Sequence, residues 1–206
     1  MRYPKLSNAE LARLLEGAQT LEADSHGPKV FRLRDGSFLK LFRRKRLLSS
    51  AFWAPYSQRF CDNAARLQQL GIPTLTPERL FQLESPTLTA VHYRPLAGLT
   101  LKQLSEQPGF DWQSLLPALV DLILRLHALG IYFRSLHLGN IVQTPEGTLG
   151  LIDISDMRFY RRALGPALAR RNLGHFQRYL RRQALEHSFP FDALRTALAH
   201  RGPGRS

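Results

Sequence analysis

The chain has 206 residues, 44% hydrophobic and 22% charged, with 29 Lys and Arg against 16 Asp and Glu for a formal net charge of +13. This is an ordinary globular composition, long enough for one substantial core. The positive excess favours anionic partners (nucleic acid, anionic lipid head groups or phosphorylated saccharide) without choosing among them. The lone Cys61 excludes an internal disulfide and fits a reducing compartment.

No apolar run follows the N-terminus, so the chain reads as lacking a signal peptide. Ser7, with Glu10 three residues on, predicts the start of a helix over 7–17 that stops at Gly17. Short strands follow at 20–24, 29–34 and 37–42, the last two joined by Asp35-Gly36, a strong hairpin signal. A helix is expected over 56–70, ending at Gly71 with Pro73 beyond. Two more strands, 79–83 and 87–94, flank Ser85-Pro86.

Beyond residues 95–98 the pattern turns helical. A short helix is expected over 99–107 and a long one over 111–129, with Leu115, Leu116, Leu119, Leu122, Ile123 and Leu126 on one stripe. The most apolar stretch, 115–133, is interrupted by Asp121, Arg125 and His127, and reads as a buried helix rather than a membrane span. Segments 141–144 and 149–154 form a hairpin across Pro145-Glu146-Gly147, and helices follow at 166–183 and 190–200. The expected class is α+β in two lobes: a β-rich lobe with one main helix (1–95), a helical lobe (99–200) and a loose tail (201–206). A cleft between such lobes is a natural nucleotide site.

The informative residues follow the long helix. Arg134-Ser135-Leu136-His137-Leu138-Gly139-Asn140 leads into the hairpin, which ends at Leu151-Ile152-Asp153. Upstream, Lys40 sits among apolar neighbours in a strand. Taken in order, these pieces resemble the protein-kinase-like superfamily over roughly residues 20–183. Within it the chain looks most like the lipopolysaccharide-core (Kdo and heptose) sugar kinases and toluene-tolerance-type relatives. The resemblance implies a two-lobed kinase-like fold with a trimmed C-terminal lobe.

It also implies roles. Lys40 would hold the α- and β-phosphates of ATP, and Asn140 and Asp153 would hold Mg²⁺. Arg134 stands where the Arg of His-Arg-Asp stands, and Phe133 replaces that motif's His. His127 would order the loop backbone. His137 has three readings: a hydrogen bond to the transferring phosphate, a proton acceptor, or a loop-ordering residue. Ser135 occupies the position of the catalytic Asp, and Asp156 either supplies the missing carboxylate, binds a second metal, or pairs with Arg158 or Arg161. The pattern is eroded elsewhere too. The helix over 56–70 offers Asp62 as its only acid where a Glu belongs, with Asn63 and Gln58 as other polar candidates, and a single Gly27 stands where a Gly-rich phosphate loop belongs.

Most of the positive excess lies in 40–46, 158–162 and 170–182. The last segment reads as an amphipathic helix with Leu173, Phe176, Leu180 and Ala184 on one face and arginines on the others. By the resemblance, these arginines lie near an anionic saccharide or glycolipid acceptor, in a cytoplasmic protein able to touch the inner membrane. No helix-turn-helix, zinc or RNA-stacking motif supports a nucleic-acid partner. The expected activity is ATP-dependent phosphorylation of a sugar hydroxyl on lipopolysaccharide core or a related envelope glycolipid. Two alternatives are a pseudokinase that scaffolds or regulates envelope biogenesis and an aminoglycoside- or choline-type small-molecule kinase.

Overall fold

The computed structural model describes residues 3–43 and 55–201. The basic residues Arg44, Lys45 and Arg46 and the tail 202–206 lie outside the described residues. The chain divides into two compact units, Met1–Leu96 and Ala97–Ser206, and its class is α+β.

The first unit is built on a six-stranded sheet in the order β1-β5-β6-β4-β3-β2, comprising β1 (Lys5–Leu6), β2 (Gln19–Asp24), β3 (Gly27–Arg32), β4 (Phe38–Arg43), β5 (Thr76–Leu83) and β6 (Leu88–Arg94). Side chains alternate across a strand, and β4 uses both faces. Leu39 and Leu41 join Leu6, Phe31, Leu33, Leu83 and Ala90 in a core that Leu11, Leu14 and Leu15 cover from the α1 side. Helix α1 (Asn8–Leu14) starts where expected, with Ser7 and Glu10 forming a reciprocal capping box. The opposite face of β4 carries Phe38, Lys40 and Phe42, beside which helix α2 (Tyr56–Gln69) lays Phe60. The Phe60 ring lies 5.5 Å from Phe42 and 5.4 Å from Tyr93.

A bulge in β5 falls at Glu78, between the paired residues Pro77 and Arg79. Bulges re-aim side chains, and this one turns Glu78 towards His92 Nδ1 at 3.2 Å and Arg94 Nε at 2.7 Å. His92 Nε2 in turn meets Ser37 Oγ at 2.7 Å. This is the order of a serine nucleophile, base and acid, but the Ser37 hydroxyl donates to Asp35 at 2.5 Å and Ser37 is 1% exposed. The chain of contacts locks the β3–β4 turn to β6 and β5; it presents no nucleophile.

The second unit carries a three-stranded sheet, β10 (Leu149–Leu151), β9 (Ile141–Gln143) and β7 (Leu99–Thr100), and a two-stranded pair, β8 (Ile131–Tyr132) with β11 (Arg158–Phe159). Its helices are α3 (Leu101–Ser105), α4 (Trp112–Ala128), α5 (Pro166–Arg182) and α6 (Phe191–Arg201). The helix expected over 99–107 is shorter: Leu99 and Thr100 pair with β9, and Thr100 then caps α3. The second hairpin strand also ends early, because Ile154–Asp156 turn into a single 3-10 turn.

Helix α4 begins at its Asp111 cap and buries Trp112, Leu115, Leu119, Val120, Leu122, Ile123 and Leu126. Leu116 sits at the margin of that stripe, only half-buried. In α5 the buried residues are Asn172, Phe176, Tyr179 and Leu180; Leu173 is half-buried and Ala184 lies exposed beyond the helix end. Phe189 joins the two helices by edge-on contact with Trp112 at 4.8 Å and packing against Phe176 at 5.3 Å. Among the described residues, no helix is long and apolar enough to cross a membrane.

Candidate active site

The loop from Phe133 to Asn140 is held by its apolar residues. Phe133, Leu136 and Leu138 are fully buried. That spacing leaves Arg134, Ser135 and His137 on the accessible side. Backbone bonds close the loop on itself, with Leu136 N donating to Phe133 O and Asn140 N to His137 O. At its far end the Ile152 amide donates to Asn140 O at 3.0 Å. The β9–β10 pairing of Ile141 with Leu151 therefore brings Asn140 and Asp153 to the same end of the hairpin.

Asp153 has φ 51 and ψ 46, a left-handed conformation that costs a non-glycine residue about 1 kcal/mol or more and concentrates at functional positions. Asn140 donates its amide nitrogen to Ser135 O at 3.0 Å and to His137 Nε2 at 3.2 Å. Its amide oxygen is the end left for a cation. An amide oxygen and a carboxylate are hard donors of the kind Mg²⁺ takes, with phosphates and water completing the octahedron. Among the described residues no three His, Cys, Asp or Glu side chains cluster as metal ligands.

Asp156 meets Ser135 in space. The 3-10 turn after the hairpin carries it back to the loop, where Ser135 Oγ donates to Asp156 Oδ2 at 2.6 Å and Arg134 Nε approaches the same oxygen at 3.4 Å. Its second oxygen, Oδ1, is buried without a hydrogen-bond partner. The ion pair read for Asp156 with Arg158 or Arg161 is not seen among the described residues; its partners are Ser135 and Arg134.

His137 stacks flat on Tyr179, with centroids 4.0 Å apart and planes 1° apart. Burial pushes its pKa down to about 4, against the pull of Asp153 and Asp156. Its Nε2 accepts from Asn140, so the proton sits on Nδ1, which is buried without a partner. A neutral ring so committed orders the loop more readily than it accepts a proton at pH 7.

His127 reaches the loop through an intermediary that the sequence reading missed. Asn172 on α5, fully buried, donates Nδ2 to Phe133 O at 2.6 Å. Its oxygen faces His127 Nε2 at 3.0 Å, so His127 is the donor there. The signal available in the sequence was the helical period, which places position 172 on the face of Phe176 and Leu180.

The rest of the site is cationic. A cavity of about 620 Å³ is lined by Arg134, Ser135 and His137 from the loop and by His175, Arg178, Arg181 and Arg182 from α5. Arg178 donates to His175 Nδ1 at 2.6 Å, which places the His175 proton on Nε2, facing Tyr132 OH at 2.9 Å. Burial, then Arg178, Arg134 and Arg171, hold the His175 pKa below its ordinary value.

Lys40 belongs to the first unit. It is 4% exposed, and its ammonium lies 5.6 Å from the Phe60 ring centre and 5.7 Å from that of Phe42. Asp62, the only acid on α2, is exposed and accepts from Gln58 at 2.6 Å. Gly27, with φ +104, closes a two-residue hairpin turn between β2 and β3, too short to be a Gly-rich loop. Burial lifts the Cys61 thiol to about 11, so it is no nucleophile at neutral pH. The sequence matches no protein-family model, and no curated protein gives a match to it.

Proposed function

We propose that this chain is a small, two-lobed kinase-like phosphotransferase with a trimmed C-terminal lobe, acting on a sugar hydroxyl of lipopolysaccharide core or a related envelope glycolipid from the cytoplasmic side of the inner membrane. The observation that carries this reading is the 2.6 Å contact between Ser135 Oγ and Asp156 Oδ2. It returns a carboxylate to the one loop position where the kinase pattern has lost it. Asn140 and Asp153 are the residues that would hold Mg²⁺, and Lys40 the residue for ATP phosphates. Bound Mg-ATP supplies the transferable phosphoryl group.

The chain's own residues do the rest. Asp156 takes the proton of the acceptor hydroxyl, while the Ser135 hydroxyl fixes which carboxylate oxygen is turned to the loop. Arg134 limits the charge repulsion that a carboxylate meets beside phosphate. Asn140 and the stacked His137 hold the loop in shape. Phosphoryl transfer depends mainly on positioning and charge stabilisation, so a carboxylate borrowed from a neighbouring turn suffices as base.

The test has two arms. Mg-ATP should raise the unfolding temperature of wild type and leave that of Asp153→Asn unchanged. Labelled phosphate should then pass to isolated core lipopolysaccharide, with Asp156→Asn slower by about 10²–10⁴. A thermal shift without transfer identifies a nucleotide-binding scaffold instead, and the absence of both removes the reading altogether.

A further inference from the structure

The cavity beside Ser135 is unusual in what lines it. Helix α5 contributes Arg178, Arg181 and Arg182 and contains no acidic residue along its length. The loop adds Arg134; of the carboxylates close to the lining, Asp156 is shared between Arg134 and Ser135, and Asp153 acts on His137. Among the described residues, no carboxylate pairs with Arg178, Arg181 or Arg182; the one side-chain bond seen is from Arg178 to His175. Guanidinium groups in that number make a wall of donors, while the Ser135 hydroxyl already donates to Asp156 and the His175 Nε2–H faces Tyr132. Planar forks of this type match phosphate oxygens two at a time.

Size and polarity narrow the ligand. About 620 Å³ is within the range of small-molecule sites and far more than one phosphate fills. Every lining residue is Arg, His or Ser, so its polar groups are charged or hydrogen-bonding ones, set among methylene and ring carbons that suit the mixed surface of a sugar. A ligand that satisfies both the cations and the remaining volume is a small polyhydroxylated body carrying a phosphate ester.

We infer that this cleft binds a phosphorylated saccharide, its phosphomonoester held by Arg134, Arg178, Arg181 and Arg182 and its hydroxyls turned towards Ser135. Binding the anion requires nothing of the nucleotide; only the further step, that this saccharide is the phosphoryl acceptor, rests on the proposed phosphotransferase reading. The groups facing His175 are Arg178 and Arg171 on its own helix, Arg134 on the loop, Tyr132 on β8 and Asp156 on the 3-10 turn. An anion among these arginines offsets their repulsion and raises the His175 pKa.

Glucose 6-phosphate serves as the probe, titrated calorimetrically without nucleotide against glucose, inorganic phosphate and vesicles of phosphatidylglycerol. The expected result is saturable binding of glucose 6-phosphate, tighter than inorganic phosphate, with none for glucose. Affinity should fall at least tenfold in Arg181→Ala/Arg182→Ala, whose exposed side chains leave the fold intact, as circular dichroism will report. The His175 ring resonance should titrate at higher pH in the complex.

Glucose 6-phosphate binding no tighter than inorganic phosphate, or unaffected by the double substitution, overturns the site. So does arginine-dependent binding to vesicles alone, which makes the patch a membrane surface. Glucose 6-phosphate binding with no Mg-ATP thermal shift supports the cleft and overturns the phosphotransferase reading; the shift with no sugar-phosphate binding does the opposite.

Discussion

Asn172 shows how much one polar side chain can hold. It sits fully buried in a helix and ties the carbonyl of Phe133 to the ring of His127. Asn172→Ala would strand a buried acceptor and a half-buried donor together. It should cost roughly 2–4 kcal/mol, read as a lower urea midpoint at unchanged slope. Loss below about 1 kcal/mol would mean that water replaces both bonds. Asp153 is the complementary case, held left-handed where Asn is also tolerated. Asp153→Asn should therefore leave stability within about 1 kcal/mol of wild type while removing any Mg-nucleotide response. A variant that unfolds early would show that the carboxylate is structural.

At the scale of elements, the turn leaving α4 decides where the loop starts. Gly130 has φ +70, and a Cβ there would collide with the carbonyl oxygens of Tyr160 and Arg162. The same turn is bonded to that segment, with Tyr160 N donating to Gly130 O and Leu164 N to His127 O, each at 2.8 Å. Gly130→Ala meets both conformational strain and a backbone clash, and should lose at least about 2 kcal/mol, measurable by thermal unfolding. Full retention of the melting temperature would show that the 160–164 segment yields freely. The regular elements here were legible because each satisfies its own local rule: a capping box at Ser7 and Glu10, an Asp111 cap, a 3.6-residue stripe along α4. The two-residue strands β1, β7, β8 and β11 were not, since two residues have no period, and their partners lie far along the chain.

For the molecule as a whole, acid is the informative stress. His127, His137 and His175 all lie in the second unit, and burial is the first cause of each one's lowered pKa. The unfolded chain then binds more protons than the folded one between the ordinary His value and the folded values. Stability conferred by these neutral rings is thus complete above about pH 6.5 and is lost as pH falls towards 4. The loss attributable to His137 is on the order of 2 kcal/mol. Melting temperatures measured from pH 7 to 4 should fall across that window, and His137→Phe, which keeps the stack on Tyr179 but cannot titrate, should flatten the fall. A wild-type profile level down to pH 4.5 would refute the assignment.

The sequence by itself determined the α+β class, the order of the main helices and strands, the loop with its serine, and the spacing of Asn140 and Asp153 around a short hairpin. All of these are set by interactions between residues a few positions apart. Only the tertiary structure decided that Asp156 reaches Ser135 across 21 residues, that Asn172 reaches Phe133 across 39, and that the arginines of α5 share a cavity with the loop. These contacts depend on how α5 and the hairpin pack. A local pattern of apolar and polar residues specifies which face is buried but not which distant backbone that face meets.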